Sequence, residues 1–568
     1  MSNFLLISLL KQYGIKKLVL SSGTRNIPFV TAVETDDFFE CFSVIDERNA
    51  AFFGLGLCQQ LNVPVAIVCT SGTAASNYLT GVTEAYYSHA PLLVITYDRS
   101  PYTLHQLETQ KIDQPSIFTS VVKKSVSLPV IKDADDIWYC QRLLNEAFIS
   151  LQQHQSAPVH INIPLVGDTN ALWNESLKEI RNGQARKINY VSVDDTGMWQ
   201  QMAKTLSSKK RIIIVMGQDC SGNKNLHQAL MQYCSYAQVP VLLDNLSNFR
   251  CSQKVWAEPI IKALNANSIE GLLPEVVITL GNNFQERIKD LLKAHQGKFE
   301  HWSIDQEGVV RDVFKSQTAL FECKPAYFFS YFTKNVIPTD GTYCHRWQEL
   351  ADAIKLPEMP FTNFYAIKEF SRVIPKESIL HLSILNATRL TQFFEIDPSI
   401  KVYSNVNSFG IDGCLPTFIG QSIATDKMSF LVIGDLSFFY AMNAIAIKHK
   451  KNNIRIMLIN NGGGAEFHIV PSSNAIPTID KHIGAAHGHK AQGWAESVGY
   501  KYLRANDKES FAMALSEFIR IDHDCPVLLE VFTNMKTDGE FCLSVYREAE
   551  KCINCLLYTS PSPRDSTS

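Results

Sequence analysis

The sequence predicts an α/β protein made of three doubly wound parallel-sheet domains in series. Three observations lead there: short strand-like runs that are apolar on both faces, helix-forming segments between them, and a length of 568 residues, too great for one hydrophobic core. A parallel strand covered by helices on both sides loses the in–out alternation of a half-exposed sheet. Its signature is an unbroken run of β-branched and apolar residues.

In a first block, 1–175, these runs are Lys17–Ser21, Cys41–Ile45, Val63–Thr70, Pro91–Thr96 and Pro158–Ile163, and the segments Glu47–Leu61 and Ala74–Tyr87 read as helices. The polar stretch Asn174–Tyr190 reads as a linker. A second block, 190–338, carries Arg211–Met216, Val239–Asp244, Val276–Leu280 and His301–Asp305. Pro338–Pro360 reads as another boundary, and a third block, 360–550, carries Ile379–Ser383, Lys401–Ser404, Phe430–Ile433, Ile454–Ile459 and Val527–Phe532. No short-period repeat is visible. Residues 555–568 break from this pattern and read as a non-native tail.

Composition narrows the function classes. A formal net charge of −3 gives no basis for a nucleic-acid partner. No apolar run approaches the ~18 residues that a membrane span needs, and the amino terminus lacks the basic lead of a signal peptide. The 14 cysteines are scattered, and the close pair Cys552 and Cys555 has no second pair to complete a zinc site. Reduced thiols in a cytoplasmic protein are the expectation.

The strongest chemical pattern lies in the third block. Gly434-Asp-Leu-Ser437 closes one strand-like run, a helical segment follows, and Asn460-Asn-Gly-Gly-Gly464 closes the next. Asp435 and Asn460 are 25 positions apart, about one strand–helix–strand crossover. Both should therefore emerge side by side at the carboxyl ends of neighbouring strands, where open α/β sheets bind ligands. A carboxylate, an amide oxygen and a backbone carbonyl are hard donors that suit Mg²⁺ carrying a diphosphate. Glycines let the backbone approach phosphate. Two unrelated strand-end turns would show the same residues.

The pattern resembles the GDG…NN signature of thiamine-diphosphate (ThDP) enzymes, with Leu436 in the third position. That resemblance implies that Asp435, Asn460 and the carbonyl of Gly462 hold the metal, with Gly434, Leu436 and Ser437 beside the cofactor. ThDP also needs an acid at its aminopyrimidine, because protonation there promotes the tautomer that removes the C2 proton. Glu47 follows a strand-like run and opens a long helix, which makes it the candidate, expected in a dry pocket where burial raises its pKa. Its plain alternative is a helix-start carboxylate favoured by the macrodipole.

Eight patterns then fall in one order: Ser21–Pro28, Asp46-Glu-Arg48, Cys69–Ala74, Asp98-Arg99, Ile112-Asp-Gln-Pro115, Gly410-Ile-Asp-Gly413, Gly434–Ser437 and Asn460–Gly464. Together they resemble the 2-succinyl-5-enolpyruvyl-6-hydroxy-3-cyclohexene-1-carboxylate (SEPHCHC) synthase family of menaquinone biosynthesis, over roughly residues 1–535. The resemblance implies a ThDP-binding fold with a pyrimidine domain, a central domain and a diphosphate domain. It implies a homodimer or homotetramer with inter-subunit sites, in which Glu47 of one chain faces the ThDP held by Asp435 and Asn460 of another. Ile411 matches the apolar prop that bends the cofactor. Arg25, Arg99, Gln110 and Arg389 match positions that grip carboxylate substrates, Thr24 stands where the family has Ser, and Arg287 stands for a lysine.

The implied activity is a decarboxylating carboligase, which adds the enamine left from a 2-oxo acid to an acceptor. Two departures put the usual pair, 2-oxoglutarate and isochorismate, in doubt: the family's arginine after Ser-Asn is Val406, and Ile288 falls where a second basic residue is expected. A 2-oxo acid decarboxylase without ligation and a non-catalytic ThDP-binding protein remain as alternatives. Glu466 and His468 follow the glycine run closely enough to reach substrate. His487-Gly-His489 reads as a solvated loop, Cys69 as core, and Gly54 and Gly56 as helix packing.

Overall fold

The computed structural model describes residues 1–166, 184–219, 221–264, 268–284 and 286–559. The chain divides into two compact units, Met1–Tyr190 with Val309–Leu320, and Val191–Gly308 with Phe321–Ser568. Its strands form three sheets, and every strand pairing with a described register is parallel.

The first sheet contains β1 (Lys17–Ser21), β2 (Glu40–Ser43), β3 (Val65–Cys69), β4 (Leu92–Asp98), β5 (Lys124–Ser127) and β6 (Val159–Pro164), in the order β2-β1-β3-β4-β6-β5. β3, β4 and β6 are buried along their whole length, because helices such as Glu47–Leu61 and Ala134–Gln152 cover the sheet. The expected helix over Ala74–Tyr87 is two helices, Thr73–Asn77 and Leu79–Tyr87, joined at the fully buried Tyr78.

The second sheet contains β7 (Asn189–Ser192), β8 (Ile212–Met216), β9 (Val241–Leu243), β10 (Lys254–Trp256), β11 (Val276–Leu280), β12 (Glu300–Ile304) and β13 (Gln317–Glu322). Their order is β10-β9-β8-β11-β12-β13-β7. The third contains β14 (Ile379–Leu382), β15 (Lys401–Ser404), β16 (Ser429–Gly434), β17 (Ile454–Asn460), β18 (Lys501–Ala505) and β19 (Val527–Phe532), in the order β15-β14-β16-β17-β19-β18.

The first and third sheets share one topology. In each, the opening strand sends the chain outward to the edge, and the third strand returns on the other side of the first. That reversal opens a crevice at the carboxyl ends of β1 and β3, and again at those of β14 and β16. The third sheet's core packs Leu380, Val432, Met457 and Leu529 with Phe364, Phe370 and Phe518 on one face. Its other face packs Leu431, Ile456 and Leu528 with Phe418 and Phe438.

Most of the proposed linker, 174–183, lies outside the described residues, as does 560–568 of the proposed tail. The helix Met535–Thr559 runs through 555–559 without a break, so the change in sequence pattern at Cys555 is not a change in secondary structure. The stretch Pro338–Pro360 contains the helix Thr342–Ala353. Among the described residues no helix is long and apolar enough to cross a membrane, and each cysteine is a free thiol.

Candidate active site

In the second unit the strand register brings the two candidate metal donors together. Gly434 of β16 pairs with Ile459 of β17, so Asp435 and Asn460 occupy the next matched positions at the carboxyl edge. Asp435 opens the helix Asp435–Tyr440 and is 2% exposed. Its Oδ1 accepts from the N–H of Leu436 at 2.7 Å, and its Oδ2 accepts from those of Gly462 and Gly463 at 2.8 and 3.0 Å. One carboxylate thus ties the turn after β16 to the turn after β17. Burial raises its pKa, and His487 and the three N–H donors oppose that rise. At Gly463, with φ +150°, a Cβ would lie 2.6 Å from the carbonyl oxygen of Gly484. Only glycine fits there, and its bare backbone leaves the turn open to a close approach.

Asn460 is oriented from below. Its Nδ2 donates to Glu530 Oε1 at 2.7 Å and to the carbonyl of His489 at 2.9 Å. Both partners are acceptors, which fixes the nitrogen and leaves Oδ1 as the remaining donor atom. Glu530 is fully buried and also accepts from Ala491 N–H at 3.1 Å and Tyr502 O–H at 2.8 Å. The Gly462 carbonyl accepts from His487 N–H at 2.9 Å and keeps its second lone pair. Among the described residues no three His, Cys, Asp or Glu side chains form a metal cluster. The donors here are one carboxylate, one amide oxygen and one carbonyl, a set suited to a hard cation that brings its own phosphate and water ligands.

These turns wall a cavity of about 330 Å³, with Ser383–Ala387 after β14, Ile411, Gly434–Ser437 and Gly463–Phe467 among its lining. Ile411 faces it from a loop that Ser437 fixes, the Ser437 hydroxyl donating to the Ile411 carbonyl at 2.5 Å. Asn461 lines the same cavity. Its Nδ2 donates to the buried Asp538 at 3.0 Å, and its Oδ1 is buried without a partner. An acceptor left unpaired in a cavity wall fits a ligand that donates to it. The residues present therefore suit a Mg²⁺–diphosphate group with an apolar prop beside it.

The first unit gathers the other candidates at the carboxyl edge of its sheet. Thr24 and Arg25 follow β1, Glu47 follows β2, and Arg99 follows β4. The turns after β1 and β3 touch: a Cβ on Gly23 would lie 2.5 Å from Thr70, and Arg25 N–H donates to Thr70 Oγ1 at 3.3 Å. Gln110 packs against Gly72. The loop that bears it is anchored by a buried ion pair, Lys111 Nζ to Asp98 Oδ2 at 2.7 Å. Arg25 is half-buried with no ion-pair partner among the described residues, whereas Arg99 donates to Glu108 at 2.6 Å. Glu47 is the first residue of its helix, with Asp46 as the N-cap. It is partly exposed and takes one long contact, from Asn77 Nδ2 at 3.4 Å. The dry pocket expected around it is not formed by this unit's own residues.

Arg389 lies on the short helix after β14 and makes a two-pronged ion pair with Glu466, the second prong at 2.9 Å. Both line a second cavity, of about 500 Å³, together with Val406 and Arg287. Ile288, the other departure from the resemblance, is 3% exposed and lines a small interior cavity together with Val215 and Leu242. Of the two residues after the glycine run, Glu466 lines both cavities. His468 is spent on Asn474 and Asp480, at 2.9 and 2.7 Å. His487-Gly-His489 lies in a loop whose Gly488 and His489 are exposed, as expected, and the His487 side chain is the exception. The His487 side chain is 8% exposed, 3.4 Å from Asp435, and its ring stacks on that of His489. Both rings also meet Phe439 edge-on. Cys69 is fully buried core, as expected.

Residues 3–117 match the family model described as "Thiamine pyrophosphate enzyme, N-terminal TPP binding domain". Curated relatives named 2-succinyl-5-enolpyruvyl-6-hydroxy-3-cyclohexene-1-carboxylate synthase are similar over nearly the whole chain. The protein from Bacteroides fragilis is 35% identical over 96% of this chain and 98% of its own length. The Desulfotalea psychrophila protein is 31% identical over 92% and 96%, and that of Flavobacterium psychrophilum 30% over 95% and 98%.

Proposed function

The chain belongs to the SEPHCHC synthase family of ThDP-dependent enzymes, and from that premise we propose that it decarboxylates a 2-oxo acid and joins the remaining unit to an acceptor, with Mg²⁺ anchoring the cofactor. The observation that carries this reading is the meeting of Asp435 with the Gly462 and Gly463 amides beside the available oxygen of Asn460. ThDP, when bound, supplies a carbon nucleophile for the 2-oxo carbonyl and takes up the electron pair that CO₂ leaves.

The chain's own residues then divide the work. Asp435, Asn460 and the Gly462 carbonyl would hold the Mg²⁺, and Ile411 would press on the cofactor from the cavity wall. Glu47 holds and returns a proton at the aminopyrimidine nitrogen. Arg25, Arg99 and Gln110 orient substrate carboxylates, Arg25 having its guanidinium free to do so.

The half-exposed Glu47 is flanked in sequence by Ile45, Phe52 and Phe53, which are 88, 44 and 42% exposed. Large apolar groups left in water around a proton-relay acid support a homo-oligomer in which a second protomer covers this face. The acid of one chain would then serve the cofactor of the other. Family membership supports a place in menaquinone biosynthesis with 2-oxoglutarate and isochorismate as the reference substrates, while Val406 and the tie between Arg389 and Glu466 support a different acceptor.

The test is CO₂ release by the purified full chain from a panel of 2-oxo acids with ThDP and Mg²⁺, with products identified with and without isochorismate. Release coupled to an adduct is expected. No release from any member would sink the proposal, and release with one product whatever the acceptor would favour the decarboxylase without ligation.

A further inference from the structure

Resting on the reading that ThDP and Mg²⁺ occupy the cavity beside β16 and β17, we infer that Asp538 is a positioning residue for them. It lies in the first turns of the helix Met535–Thr559 and turns the Asn461 amide so that its oxygen serves the bound group. Asp538 is 1% exposed, and three donors converge on it. Its Oδ1 accepts from the N–H of Asn363 at 2.9 Å, and its Oδ2 from Thr533 Oγ1 at 2.7 Å and Asn461 Nδ2 at 3.0 Å. All three partners donate, so both oxygens of the carboxyl group work as acceptors. With Nδ2 held from behind, Oδ1 is the atom of Asn461 without a partner, in a residue that lines the cavity. An amide oxygen is a hard donor that suits Mg²⁺ or the water it carries.

The chain that carries Asp538 is itself stitched to the turn after β17. Thr533 N–H donates to the Asn460 carbonyl at 3.1 Å, and Met535 N–H to the Asn461 carbonyl at 3.0 Å. At the next residue, Gly539, a Cβ would lie 2.4 Å from that of His468, so the helix packs closely on the segment after the glycine run. Asp538 also reaches across 175 positions to the helix Asn363–Val373, whose leading N–H groups have no partner within the helix. Asn363 is 3% exposed and lines the same cavity, and its Oδ1 too is buried without a partner among the described residues. One carboxylate thus stands behind two amides whose oxygens are unpaired. Burying an acceptor without a partner costs stability. Two of them in the lining of one cavity point to a ligand that satisfies them, and Asp538 serves that ligand as well as the fold.

The test is calorimetric titration of ThDP into the full chain at fixed Mg²⁺, beside CO₂ release measured over a range of ThDP. Asp538→Asn puts an amide where only acceptors fit, so at least one donor is left facing an N–H. ThDP affinity should fall about tenfold or more, the usual cost of losing a group behind a metal donor. The loss should appear in the ThDP concentration that half-saturates CO₂ release rather than in the rate at saturation. Reversing the pair, with Asn461→Asp and Asp538→Asn together, lets the amide donate and the carboxylate accept. Affinity should then return to within about threefold of the wild type, a recovery that a general loosening of the fold would not produce. Asn461→Asp alone sets two carboxylates face to face and should lose affinity as Asp538→Asn does. Thr533→Val removes another donor from the same carboxylate without touching Asn461 and should change affinity by less than about threefold. Thermal unfolding checks that each variant folds, and Asp538→Ser, which leaves room for a water, repeats the reading if the Asn variant does not. Unchanged ThDP affinity in a folded Asp538 variant, or a reversed pair that binds no better than the single variants, would overturn the inference. A wild type that binds ThDP with this pattern of variants, yet releases no CO₂ from any 2-oxo acid, would instead sink the carboligase reading and leave the positioning role standing.

Discussion

Two carboxylates open helices at the carboxyl ends of sheets with the same strand order, and they are finished to different degrees. Asp435 is buried, and three backbone N–H groups hold its two oxygens. Glu47 is partly exposed and takes one contact, at 3.4 Å. One topology thus carries a complete anchor in one place and an open acid in the other. In the proposed reading the anchor would have to be rigid before a diphosphate arrives, because a metal would fix its geometry, and the backbone of two adjacent turns would supply that rigidity. The acid needs dry surroundings to keep a proton, and its own unit leaves apolar groups around it uncovered. The difference is between a carboxylate whose contacts its own unit completes and one that its own unit leaves open.

The largest expected effect breaks the contrast on the Glu47 side. Glu47→Gln keeps the side chain's size and removes its proton, so CO₂ release should fall by about 100-fold or more. ThDP affinity, followed by titration, should stay within about threefold, because the anchor lies elsewhere. Retained turnover would reduce Glu47 to an ordinary helix-start residue.

Asp435→Asn comes next. An amide in that place presents N–H groups where Gly462 and Gly463 already donate. Loss of Mg²⁺-dependent ThDP binding is expected, with about 1–3 kcal/mol of stability lost in urea unfolding. Unaltered binding would mean that the two turns are not the anchor.

Glu530→Gln acts one step behind. It weakens the grip on Asn460 Nδ2, Ala491 N–H and Tyr502 O–H together. The Mg²⁺ concentration needed for half-maximal CO₂ release should rise about tenfold.

The smallest effect concerns a buried carboxylate in the wall of the second cavity. Burial pushes Asp244 up to about 6. Its folded pKa is raised, so the stability it contributes is complete below pH about 4 and is lost as pH rises through 6, by no more than about 3 kcal/mol. Asp244→Asn keeps the oxygen that Leu246 N–H donates to and should shrink the fall in urea midpoint between pH 5 and 7.5.

The same difference between local and completed features explains what could be read from the residues alone. Strands buried on both faces, such as β3, β8 and β17, show as apolar runs. β5, β7, β10 and β18 do not, because each is an edge strand with a partly polar face, and β13 lies next to an edge. Asp435 and Asn460 were legible because one crossover of fixed length relates them. Glu530 was not, since it reaches Asn460 from 70 positions away, nor was the tie between Arg389 and Glu466 across 77. Lys111 lay beside a recognisable pattern, and its burial against Asp98 depends on how the loop folds back. His487 looked solvated because its aromatic partner Phe439 is distant in sequence.

The central claim is that the acid of one protomer serves the anchor of another, and co-expression of Glu47→Gln with Asp435→Asn chains tests it most directly. Each variant alone is expected to be inactive. In a mixed dimer one of the two sites pairs an intact Glu47 with an intact Asp435, so the co-expressed population should recover about a quarter of wild-type CO₂ release. Oligomers that form but recover nothing would place both residues in the same chain's site and contradict the account.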